Sequence, residues 1–141
     1  MTRVAGAHRE RFLPYRYARK GVVLLVTSCM LDGKTAVEQD VRGAAQYLSS
    51  EEKKVGVLGF CFGGALAISR AVHVPELSAA VCFYGIPPEN RADPRHVRVP
   101  LLAHFAENDD WCTPERVDAL EAKLEDGDVR AELHRYEGAS H

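Results

Sequence analysis

The 141-residue sequence predicts one α/β domain over residues 1–141: a three-layer sandwich with a mainly parallel sheet of about five strands and helices on both faces. Three observations carry this. Short apolar runs alternate with helix-like segments along the whole chain. Runs such as Val22–Thr27 are continuous rather than alternating, as in strands buried on both faces of a parallel sheet. No internal repeat or low-complexity tract interrupts the pattern.

Residues 1–7 carry no signal. His8 to Lys20 reads as a helix whose Pro14 marks a kink or a late start, and Gly21 ends it. Gly21–Thr27 is a strand and Ser28–Lys34 a loop. Thr35 can cap a helix from Ala36 to about Ser50, with Val37, Val41, Ala44, Ala45 and Leu48 on one face. After a polar turn, Val55–Leu58 is the next strand. A helix runs from Cys61 to about His73, where Pro75 stops it. Leu77–Tyr84 is a strand, Gly85–Arg98 a Pro-rich loop, Val99–Phe105 a strand and Ala106–Thr113 a loop. Pro114 suits a first helical position, with Thr113 as cap, and the helix runs over Glu115–Leu124. Asp126-Gly127-Asp128 turns into a last strand, Val129–Tyr136, and Glu137–His141 is a terminal loop.

The stretch Gly59-Phe60-Cys61-Phe62-Gly63-Gly64 stands where a strand turns at once into a helix. It is the nucleophile-elbow pattern with a thiol in place of the hydroxyl. The positions two before and two after the strained central residue, Gly59 and Gly63, must lack a Cβ for the turn to close. The thiol is then held at a helix N-terminus, where the dipole favours thiolate, and the N–H of Phe62 points where an oxyanion would form. The competing reading is a buried structural cysteine at a tight junction, since free Cys is among the most buried residue types.

Composition narrows the function classes. Eighteen basic and twenty acidic residues give a formal net charge of −2, which suggests neither nucleic acid nor an anionic membrane as partner. The basic residues between Arg3 and Lys20 read as a solvated helix face. Apolar runs such as Val22–Val26 are far below a membrane span, and no signal-peptide pattern is present, so the expected location is cytoplasmic. Cys29, Cys61, Cys82 and Cys112 are scattered, which argues against a zinc site and a disulfide framework.

A thiol nucleophile needs a base, and the base needs a group that fixes its tautomer. Cys61, Asp109 and His141 each follow a strand, and reactive groups gather at the carboxyl ends of strands in such sheets. Asp110 is a rival for Asp109, though it could instead serve the helix start at Thr113. His104 lies in a strand and reads as a hydrogen-bonded core residue; His8, His73, His96 and His134 read as surface residues. Cys29, Cys82 and Cys112 read as structural thiols. Tyr84 and Trp111 could line a pocket or pack on the core.

At these residues the chain resembles the dienelactone hydrolases, α/β-hydrolases with a Cys nucleophile. Gly59-Phe60-Cys61-Phe62-Gly63-Gly64 is similar to that family's elbow, His104-Phe105-Ala106-Glu107-Asn108-Asp109 to its acid loop, and Tyr136-Glu137-Gly138-Ala139-Ser140-His141 to its histidine loop. Asp40-Val41-Arg42-Gly43-Ala44 is similar to the helix before the elbow. The resemblance implies an α/β-hydrolase-like sandwich and a hydrolase of small ester or lactone substrates. It implies Cys61 as nucleophile, His141 as base, Asp109 as its orienting acid, the Phe62 N–H in the oxyanion hole, and no metal or organic cofactor; Tyr84 and Trp111 are the candidate substrate-binding residues by their positions alone. Against that family the chain is expected to be truncated at both ends, so the family's regulatory Glu, its second oxyanion donor and its substrate-binding Arg have no assigned counterpart. Two other readings stand beside the hydrolase: a weakly active or inactive remnant serving as an oligomerising or binding module, and a thiol redox sensor at Cys61.

Overall fold

In a computed structural model, residues 15–19, 22–27, 36–49 and 54–141 are described, with side chains described for 41–49 and 54–141. The elements are β1 (Tyr15–Arg19), β2 (Val22–Thr27), α1 (Ala36–Ser49), β3 (Lys54–Phe60), α2 (Phe62–His73), β4 (Leu77–Phe83), a 3-10 turn at Pro94–His96, β5 (Leu101–Asn108), α3 (Pro114–Asp126) and β6 (Ala131–Ser140). The six strands form one sheet in the order β1-β2-β3-β4-β5-β6. β1 is antiparallel to β2, and every later pair is parallel. The α/β-hydrolase-like architecture expected from the sequence is therefore present, with a sixth strand added.

That sixth strand is a correction. Tyr15–Arg19 was expected to be helical and is a strand, with Tyr15 opposite Val26 and Arg19 opposite Val22. The five residues pair along the whole of Val22–Val26, a continuous apolar strand, and that pairing outweighs the local helix pattern. His8–Pro14, Lys20, the loop expected over Ser28–Lys34, the cap at Thr35 and Cys29 lie outside the described residues.

Alternation along the strands decides the core. Val55 and Val57 on β3, Leu77, Ala80 and Cys82 on β4, and Leu101, Ala103 and Phe105 on β5 are buried. They share one cluster with Ala45 and Leu48 of α1, Ala67, Ile68, Ala71 and Val72 of α2, and Val117, Leu120 and Leu124 of α3. All three described helices thus cover the same face. A parallel sheet that grows in one direction through right-handed crossovers puts its connections on one side. Helices on the opposite face, part of the sequence expectation, are not among the described elements. That face is half-buried and carries a row of stacked rings: Phe60 on Phe83 with centroids 4.8 Å apart, Phe83 on His104 at 4.5 Å, and His104 on His134 at 5.3 Å.

Helix α2 is central. Gly63, Gly64, Ala65, Ala67, Ile68, Ser69, Arg70, Ala71 and Val72 are all buried. Its small residues let it lie close to β3 and β4. α3 begins as expected with Pro114 at its first turn and Thr113 in the capping position, but the Thr113 side chain makes no cap hydrogen bond. The last two strands run further than the sequence suggests. β5 continues through Glu107 and Asn108, and Glu137–Ser140, expected as loop, belongs to β6. Among the described residues no helix is long and apolar enough to cross a membrane.

Candidate active site

The elbow forms where β3 passes into α2. Cys61 is the residue between them, with φ 55° and ψ −122°. A side chain with Cβ rarely occupies that region, so the conformation is strained and must be held by its surroundings. Three hydrogen bonds hold it. The Cys61 N–H donates to the Phe83 carbonyl at 3.0 Å, and the Cys61 carbonyl accepts from the N–H groups of Gly64 and Ala65 at 2.9 and 3.2 Å. Space is the second condition. A Cβ on Gly59 would run into the Gly63 carbonyl, and one on Gly85 into the Cys61 carbonyl. Phe62 is the first residue of α2, so its N–H has no intrahelical acceptor. The Phe62 ring is 44% exposed.

Asp109 follows β5 and is 4% exposed, with its carboxylate fully covered. Oδ1 accepts from the N–H groups of Trp111 (2.7 Å) and Cys112 (2.9 Å). Oδ2 lies 2.8 Å from His141 Nδ1. Burial works against the charge on Asp109, but the Cys112 amide, the His141 imidazole and the Trp111 amide outweigh it and hold its pKa below the ordinary value. An ionised carboxylate only accepts, so Nδ1 of His141 carries the proton and Nε2 presents its lone pair. Nε2 lies 3.1 Å from Cys61 Sγ. The residues that the sequence singled out as nucleophile, acid and base thus form one hydrogen-bonded line. Asp110 is exposed and takes no part in it.

Tyr84 follows β4 with φ 39°, and its ring meets the His141 imidazole edge-on at 4.7 Å. Trp111 is 72% exposed, so it does not cover the core; its carbonyl accepts from Arg116. Cys82 and Cys112 are buried, and burial pushes their thiols up to about 12 and about 11. His104 is hydrogen-bonded, to the Tyr136 hydroxyl at 2.8 Å, but sits on the half-buried face rather than in the core. His73 and His96 are exposed and His134 half-buried, and His8 lies outside the described residues. Among the described residues no group of three or more His, Cys, Asp or Glu side chains is arranged to hold a metal ion.

One contact was not singled out in the sequence. Glu107 Oε2 accepts from the Gly138 N–H at 2.8 Å, bridging β5 to β6 three residues before His141. Its only sequence signal is Gly138 in an otherwise strand-like end, where φ is 70°.

Comparison with known proteins bears on the fold and the family. The dienelactone hydrolase family matches residues 16–141. A carboxymethylenebutenolidase homolog of Xenopus tropicalis is 39% identical over 92 residues, covering 64% of this chain and 37% of that protein. Protein usf of Aquifex pyrophilus is 36% identical over 90 residues, covering 63% and 39%. The chain therefore spans well under half the length of these relatives. The crystal structure of esterase PE8 superposes with a TM-score of 0.65 at 21% identity, over 77% of this chain and 54% of that one, a likeness of fold. With a family match that takes in residues 16–141, nearly the whole sequence, the chain belongs to the dienelactone hydrolase family.

Proposed function

We propose that the protein hydrolyses carboxylic ester or lactone bonds of small molecules through a Cys61–His141–Asp109 triad. The observation that carries this is the unbroken line from Cys61 Sγ through His141 to the buried Asp109 carboxylate, at 3.1 and 2.8 Å. His141 Nε2 takes the thiol proton as Sγ attacks the substrate carbonyl carbon, and the carbonyl electron pair moves to oxygen. The Phe62 N–H, the first amide of α2, donates to that oxyanion. As the intermediate collapses, the C–O bond to the leaving group breaks and His141 returns the proton to the departing alkoxide. A thioester on Cys61 remains. Water then attacks it, with His141 as base, and releases the acid and the thiol. The Asp109 carboxylate keeps Nδ1 protonated throughout and stabilises the imidazolium.

The substrate class follows from the family and from the names of its relatives, a carboxymethylenebutenolidase homolog among them. The exposed Phe62 and Trp111 rings and the Tyr84 ring beside His141 give the acyl group an aromatic surround. A reducing, cytoplasmic setting belongs to the same reading, since a thiol nucleophile works only while reduced.

p-Nitrophenyl acetate hydrolysis by the native chain and by Cys61→Ala tests it. Steady turnover that disappears in the variant is expected. Equal rates in the two proteins would refute the triad and leave the elbow as architecture of a non-catalytic module.

A further inference from the structure

We propose that Glu107 is a positioning residue for His141, acting through its hydrogen bond to the Gly138 N–H. This rests on the hydrolase reading above. The argument begins with strand register. β5 and β6 pair in step from Leu101↔Ala131 to Ala106↔Tyr136. The next pair is Asn108↔Ser140. Between those two pairs β5 advances two residues and β6 four. At about 3.4 Å per extended residue, β5 covers about 7 Å and β6 has about 14 Å of chain to fit beside it. The surplus must bulge, and it does so at Glu137, Gly138 and Ala139, with Gly138 in the left-handed region at φ 70°.

A bulge leaves an N–H without a ladder acceptor. Here the Glu107 carboxylate supplies one, at 2.8 Å to Gly138 N. Glu107 is the β5 residue opposite the bulge, two residues before Asp109. Gly138 is three residues before His141. The clamp therefore ties together the two segments that deliver the Asp109–His141 hydrogen bond. Without it the surplus chain can redistribute. A slip of one residue would turn the His141 side chain to the other side of the strand and break its line to Cys61.

Glu107 touches neither Cys61 nor His141 in this arrangement, so its effect is on placement and not on proton transfer. The test uses the full chain with Glu107→Met, which keeps a long side chain without the carboxylate, and Glu107→Gln, which keeps an acceptor oxygen. Three quantities are read: kcat and KM for p-nitrophenyl acetate, the rate of Cys61 alkylation by iodoacetamide, and the NMR resonance of the His141 Nδ1 proton bonded to Asp109.

For Glu107→Met we expect kcat to fall about 10- to 100-fold with KM within about twofold, as for a misplaced catalytic group. Cys61 alkylation should slow in parallel, and the downfield Nδ1 proton should broaden or vanish. Glu107→Gln should recover kcat to within a few fold of native. Native kcat and an intact Nδ1 resonance in Glu107→Met would overturn the proposal, even if the variant melts earlier, because that is the signature of a plain structural staple. Equal losses in Gln and Met would also overturn it, because the acceptor would then not be what matters. A native protein that neither turns over nor alkylates quickly would fail the hydrolase reading instead, and the Nδ1 resonance would still decide whether Glu107 positions the imidazole.

Discussion

Asp109→Asn separates the work of the acid from its place in the fold. Asn matches Asp in shape and keeps one acceptor oxygen. That oxygen can serve the Trp111 and Cys112 amides, now 2.7 and 2.9 Å from Oδ1. The amide nitrogen then faces His141 Nδ1, where Oδ2 stands at 2.8 Å. Two donors cannot face each other, so the imidazole must shift its proton to Nε2. Nε2 is the atom 3.1 Å from Cys61 Sγ, and once protonated it cannot take the thiol proton. An inverted tautomer in such a triad costs on the order of 10⁴ in kcat, or about 5 kcal/mol in activation free energy. Stability should fall much less. The two amide bonds go from charged to neutral acceptors, each weakening by about 1 kcal/mol. The assay is p-nitrophenyl acetate turnover at pH 7 beside urea unfolding of the same preparation. A folded Asp109→Asn protein within about tenfold of native kcat would refute the tautomer argument and, with it, the role given to Asp109.

Two further outcomes follow from the geometry. Gly59→Ala puts a Cβ against the Gly63 carbonyl, which is backbone of the same elbow and cannot swing away. It should cost about 3 kcal/mol or more, at the upper end for overpacking, and an unchanged urea midpoint would contradict that. His104 is held below the ordinary imidazole pKa by burial and by His134 beside it. The unfolded chain therefore binds this proton more readily than the folded one. The associated stability is fully present above about pH 6.5 and is lost as pH falls through the folded value. Urea midpoints from pH 7.5 down to 5 should decline, and His104→Gln should flatten the decline; a slope that survives the substitution would assign it elsewhere.

The strands that the sequence revealed are those whose own residues insist on them. Val22–Thr27 and Lys54–Phe60 carry β-branched apolar runs and lie inside the sheet. The parts that were misread are polar. Glu107-Asn108 and Glu137–Ser140 extend β5 and β6 through the Asn108↔Ser140 pair and the Glu107–Gly138 hydrogen bond, which only the facing strand supplies. Tyr15–Arg19 reads as helix from its charges, and as strand once β2 offers it an edge. The site was more legible than its supports. Cys61, Asp109 and His141 are marked by their places after strands and by their motifs, whereas Glu107 gains meaning only from a register shift that no local pattern encodes.

Strand order explains why such a support is needed. Cys61 follows β3, Tyr84 follows β4, Asp109 follows β5 and His141 follows β6, so four neighbouring strands deliver four neighbouring groups. Neighbouring strands lie about 4.8 Å apart, which puts the ends of β3 and β6 about 14 Å from each other. Cys61 Sγ and His141 Nε2 are nevertheless 3.1 Å apart. The two side chains together cannot close that gap from a flat sheet. β6 stays paired with β5 as far as Asn108↔Ser140, and the two extra residues of its bulge add about 7 Å of chain just before His141. Tyr84, just after β4, meets the imidazole with its ring edge-on at 4.7 Å. On the proposal made for Glu107, the bulge and its clamp set the last step of β6, from which His141 reaches a cysteine that follows a strand three positions away in the described sheet.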